Sequence, residues 1–120
     1  MKEFVQKLYD AMNEYDTVMG TDDEASASSK HVIMLIANAE NKSEENIRCM
    51  KFIQAMNKII EPMTNIVFSI SMAITEKEED LPVPREKCLS DLEKFPKGLA
   101  ILEKAKQICI DQIAKIEEEG

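Results

Sequence analysis

Apolar residues recur along almost the whole chain at alternating spacings of three and four. That is the period of an amphipathic α-helix, and no stretch of useful length alternates as a strand does. The first stripe is Phe4, Leu8, Ala11, Tyr15 and Val18, widened by Val5, Met12 and Met19, and it predicts a helix over 2–19. Gly20 follows and suits a left-handed helix cap. Thr21-Asp22-Asp23-Glu24 then has the form of a capping box, opening a second helix over 22–41. Its stripe reads Ala25, Ser28, Val32, Leu35 and Ala39, with Ser29 and Ile36 alongside.

Ser43 is a good N-cap, with Glu44 and Glu45 in the first turn of a third helix. The stripe that follows runs Cys49, Phe52, Met56, Ile59, Met63, Ile66, Ile70 and Ala73. It keeps phase across Pro62, so the segment reads as one helix over 44–77, kinked at the proline and not ended by it. Glu78-Glu79-Asp80-Leu81-Pro82-Val83-Pro84 is the clearest connector in the chain, and Pro84 suits the first position of the next helix. The last segment carries Cys88, Leu89, Leu92 and Phe95, then Pro96 and Gly98, then apolar residues as far as Ile116. It fits either one kinked helix or a short helix followed by a long one.

Element lengths dictate an arrangement. At 1.5 Å per residue the first two helices are each about 27 Å long, roughly half the third. Short links make neighbours antiparallel, so the first two helices cover only half of the third. The expected fold is therefore all-α: an antiparallel bundle of four to five helices in a single domain over 1–120. Residues 2–61 and 98–117 form the bundle, and 62–97 form a kinked, protruding hairpin. Pro62 and Pro96 stand about equally far from the hairpin tip, which marks them as a hinge. The alternative is a hairpin folded back on the bundle.

The hairpin has more apolar surface than two helices can bury. Phe68 and Met72 lie off the main stripe, four residues apart, and a helix apolar around most of its circumference needs partners on several sides. Phe68, Met72, Leu81 and Leu89 are the expected contact residues for a second copy, as a homodimer, or for another protein. Charge sharpens this. The net charge is −8, and three clusters account for more than all of it: Asp22-Asp23-Glu24, Glu76 to Asp80 and Glu117-Glu118-Glu119 each carry −3 and leave the rest of the chain at +1. Glu78, Glu79 and Asp80 follow a helix C-terminus, where the dipole disfavours acids, and they would steer a basic partner.

Chemistry narrows the function further. A net negative chain lacks the Lys and Arg excess that neutralises phosphates, so neither direct nucleic-acid binding nor an anionic membrane surface is expected. The longest apolar-rich run, 62–74, is too short to span a bilayer, which needs about 20 residues. The N-terminus carries an acid at position 3 and no apolar leader segment, so a cytoplasmic protein is expected. Cys49, Cys88 and Cys109 are odd in number and widely spaced, and read as buried apolar residues in a reducing compartment. His31 is the one histidine, no Gly-rich phosphate loop occurs, and neither a cofactor nor a metal is called for. These readings converge on a non-enzymatic protein-binding module: a small acidic helical regulator or inhibitor, of the kind that phages or immunity systems encode. Two alternatives stand beside it. One is an all-α carboxylate–Mg²⁺ nucleotide hydrolase using Glu76 and Glu79, which have E-x-x-E spacing. The other is an acidic nucleic-acid mimic that fills a basic cleft.

Overall fold

The computed structural model describes residues 2–20, 24–81 and 83–119, without the side chain of Glu78. Four α-helices follow in order: α1 (Glu3–Met19), α2 (Glu24–Ala37), α3 (Lys42–Ala73) and α4 (Arg85–Glu119). A short 3₁₀ turn over Glu78–Asp80 lies between α3 and α4. No strand occurs among the described residues. Each helix packs on its chain neighbour and α1 also packs on α4, which makes an antiparallel four-helix bundle.

The links explain the topology. Gly20 closes α1 in the left-handed conformation, φ 67°, and donates its N–H to the Asp16 carbonyl. The proposed Thr21 capping box lies outside the described residues. The α2–α3 corner differs from expectation. α2 stops at Ala37, four residues early, and the cap of α3 is Asn41 instead of Ser43. Asn41 is extended and its side chain accepts from the Glu44 N–H, while the Glu44 carboxylate accepts from the Glu40 N–H. The cap thus lies two residues upstream of the expected Ser43, with the Glu44 carboxylate reaching back past it to Glu40, and it forces the chain out of helix before position 41. Arg48 ties the corner from the other side by donating to the Leu35 carbonyl at 2.6 Å.

The core gathers Val5, Leu8, Met12 and Tyr15 of α1, Ile33 and Ile36 of α2, Cys49, Phe52, Met56 and Met63 of α3, and Ile101, Leu102, Ala105 and Cys109 of α4. The α1 and α3 stripes match the expected ones over this half. The α2 stripe does not: its buried residues are Ser26, Ser29, Ile33 and Ile36, rotated by one position from the expected set. Hydrogen bonding is the reason. The Ser26 hydroxyl and the Lys30 ammonium both donate to the Asp16 carboxylate at 2.6 Å, and the Ser29 hydroxyl donates to the Ala25 carbonyl. Small residues whose hydroxyls are satisfied can face α1 at no desolvation penalty, a fact that hydropathy does not register.

α3 and α4 each run unbroken through their prolines, so 85–119 is one helix. Both prolines are exposed, which leaves the carbonyls they orphan open to water. α3 ends at Ala73, four residues earlier than its pattern suggests. Arg85 donates to the Ile74 and Glu76 carbonyls, both at 2.9 Å, and the Thr75 hydroxyl donates to the Met72 carbonyl. Together they satisfy the helix end and turn the chain. Pro84 is one residue outside α4, and its carbonyl accepts the first helical bond from the Cys88 N–H.

Gly98 sets the height at which the bundle ends. A Cβ there would lie 2.8 Å from the Met19 sulfur, 3.3 Å from the Met63 methyl and 3.4 Å from the Tyr15 ring. The end of α1 therefore meets α3 and α4 at Met63 and Gly98, and beyond this level α3 and α4 continue alone. The molecule measures 58 × 23 × 18 Å, with a radius of gyration of 17.0 Å. A compact chain of this length would have about 14 Å, so the hairpin extends outward and does not fold back.

At the opposite end Glu45 is 3 % exposed, and its carboxylate pairs with Lys2 at 2.7 Å. Two predictions follow from these ends. Asn41→Ala should cost about 1 kcal/mol in a urea melt, and Ser43→Ala only a few tenths; equal losses would return the cap to Ser43. Lys2→Ala, which leaves the Glu45 carboxylate buried without its cation, should cost about 1–2 kcal/mol in the same assay.

Candidate protein-docking arm

Beyond Met63 and Gly98, α3 and α4 form a two-helix arm closed by the 74–84 tip. Two helices can bury only the stripe each turns to the other. Among the described arm residues from 64 to 97, only Cys88 and Asp91 are buried. Four large apolar residues of the arm face solvent: Phe68 is 67 % exposed, Met72 59 %, Leu89 52 % and Ile66 46 %. Phe68 and Met72 share a face at i, i+4, and Ile66 projects from another. The stripe of α3 thus changes character at the end of the bundle: Cys49, Phe52, Met56 and Met63 are buried, whereas beyond them Ile66 is exposed and Ile70 and Ala73 are only half-buried.

The tip places the remaining expected residues. Leu81 is half-buried, and Glu79 and Asp80 are exposed in or beside the 3₁₀ turn. The side chain of Glu78 is outside the described set. Glu76 and Glu79 do not share a helix, because α3 has already ended. The E-x-x-E spacing therefore lacks the rigid support that a Mg²⁺ site requires. Among the described residues no group of three or more His, Cys, Asp or Glu side chains converges as cation ligands. His31 is exposed on α2. No helix among the described residues is long and apolar enough to cross a membrane.

Two features of the arm escape the hydropathy pattern. The first is Asp91, an acid 8 % exposed on the inner side of α4, with the Lys87 ammonium 3.4 Å away as its ion-pair partner. The second is a groove of ≈ 320 Å³ at the arm's base, lined by Tyr15, Ala25, Lys58, Ile59, Pro62, Met63, Ile66 and Phe95. It opens where α1 and α2 stop short of α3 and α4. Lys58 stands in its wall, and the Lys94 ammonium lies 5.8 Å from the centroid of the Phe95 ring. No one helix carries the groove, so periodicity along a single element cannot reveal it.

The bundle end is chemically quieter. Its cleft, ≈ 520 Å³, is lined by lysines that are largely answered by glutamates: Lys2 by Glu45, Lys7 by Glu3 and Lys42 by Glu119. The Lys42 ammonium holds the Glu119 carboxyl below the ordinary carboxylate range. In the core, the buried thiols of Cys49 on α3 and Cys109 on α4 interact with one another. That interaction lowers the pKa of Cys49, against burial and the Glu45 carboxylate, and with burial it pushes Cys109 well up. Exposed apolar residues also occur on the bundle, at Met34, Ile47, Met50 and Ile110.

Comparison with protein-family models, with curated proteins and with solved structures gives no match to this chain. All three cysteines are free and buried. In the native protein a disulfide reagent such as Ellman's should therefore titrate well under one thiol on the timescale on which denaturant exposes all three. Prompt reaction of Cys88 alone would show that the arm opens faster than the bundle.

Proposed function

We propose that this protein is a non-enzymatic binding module that regulates a partner protein, with the arm as its working part. What supports the reading is one observation above the others: Phe68 is 67 % exposed, with Met72 and Leu89 also more than half exposed, on a part of the fold that projects from its core. Covering one such side chain on association removes about 2 kcal/mol of apolar hydration cost. Three of them, with their neighbours, are enough to offset a substantial part of the entropy lost on docking. The acids at the tip, Glu79 and Asp80 with Glu78 beside them in sequence, supply long-range attraction toward a basic surface and set the association rate. Pro62 and Pro96 at the arm's base act as the compliant points, because each helix lacks a backbone hydrogen bond there.

A photo-reactive amino acid placed at position 68, 72 or 89 should form adducts in cells producing the protein, and the same residue at exposed Gln54 on the bundle should not. Arm positions that give no adduct, or a Gln54 position that gives the same one, would overturn the reading. Phe68→Glu should abolish the adducts formed from position 72 while leaving the thermal midpoint within a few degrees, since its side chain contributes little to the core.

A further inference from the structure

We infer that the groove at the base of the arm receives the arm tip of a second copy, with the two arms antiparallel, so that each copy gives a tip and accepts one. This rests on the reading of the arm as a docking element and names its partner. The groove is lined by the apolar Ile59, Pro62, Ile66 and Phe95 and by one cation, Lys58, and a second cation, Lys94, lies beside it with its ammonium 5.8 Å from the Phe95 ring centroid. Neither ammonium has an ion-pair partner among the described residues. The ligand such a site selects is an apolar side chain flanked by carboxylates. The tip has that chemistry in Glu79-Asp80-Leu81: two exposed acids, without ion-pair partners among the described residues, next to a leucine.

A tip cannot reach the groove of its own chain. Between Pro62 and Ala73 α3 alone rises about 17 Å, and the tip lies beyond that. A second copy reversed beside the first brings each tip to the other's base, because both arms have the same length. The contact is self-complementary about a two-fold axis and closes after two copies. The same charges exclude the competing arrangement. Parallel arms would set Glu76, Glu79 and Asp80 of both copies side by side, with no cation of the groove in reach. Glu61 and Glu93 also lie near the base, and both are exposed. Neither acid lines the groove, and Lys58 in its wall, with Lys94 beside Phe95, makes it the route for an acidic tip.

The wild-type protein should be a salt-sensitive dimer by sedimentation velocity. Carbodiimide, which condenses a carboxylate with a touching amine, should join Glu79 or Asp80 to Lys58 or Lys94 in the dimer band. Because tip and base are far apart within one chain, any such linkage is between copies. Glu79→Lys/Asp80→Lys and Lys58→Glu/Lys94→Glu should each raise the dissociation constant about tenfold or more, and an equal mixture of the two variants should recover a substantial part of the lost affinity. A mixture no tighter than its components, or tip reversal that strengthens the dimer, would overturn the antiparallel assignment. A wild-type monomer at every concentration would overturn recognition of a second copy. The broader reading fails separately, by the absence of arm-specific photo-adducts.

Discussion

The contact on which the molecule turns is the meeting of Tyr15 and Met19 with Met63 and Gly98. α1 ends there because Gly20 takes the left-handed conformation and stops it, while α3 and α4 have no comparable stop until Ala73 and Arg85. A glycine inside α4 costs about 1 kcal/mol in helix propensity, and here it gives the end of α1 room to seat. Below this level four helices close a core around Phe52, Met56 and Leu102. Above it the same two helices, with the same apolar period, have only each other. The arm's exposed Ile66, Phe68 and Met72 are the direct result of this mismatch in helix length.

Polar interactions organise the places where hydrophobic burial is indifferent. Asp16 takes hydrogen bonds from Ser26 and Lys30 and so fixes the rotation of α2 about its axis. Asn41, Glu44 and Arg48 fix where α2 stops and α3 begins. Arg85 binds the Ile74 and Glu76 carbonyls just past the end of α3 and holds the tip against α4. None of these contributes more than one or two kcal/mol, yet each chooses among arrangements that bury similar area. The acidic excess obeys the same division. Lys2, Lys7 and Lys42 at the far end of the bundle pair with glutamates, whereas Glu79 and Asp80 stand at the other extreme of a 58 Å molecule.

Much of the architecture is legible along the chain. The helical period names all four helices, Gly20 names its cap, and the stripe crossing Pro62 in phase correctly implies a continuous α3. Phe68 and Met72 are recognisable as surplus apolar residues from their position off the stripe, and both are exposed, as is Leu89. The misjudged points share one cause. Ser43 and Asn41 are equally plausible caps, and Ala25 and Ser26 equally plausible members of the α2 face. Local preference differs by only tenths of a kcal/mol between such neighbours. The choice was made by Glu44, Arg48 and Asp16, two of which act from another helix or across a corner.

Helix identity, approximate length and amphipathic face are properties of residues within a few turns of one another, and the sequence by itself determined them. It also determined that one pair of helices must outrun the other. Only the tertiary structure decided that the surplus hairpin stands out from the bundle, that Asp91 lies inside it, and that Lys58, Ile66 and Phe95 share one groove at its base. Those outcomes depend on the height at which α1 and α2 stop beside α3 and α4. That height is set by contacts between residues up to 83 positions apart, such as Tyr15 with Gly98, which no local pattern encodes.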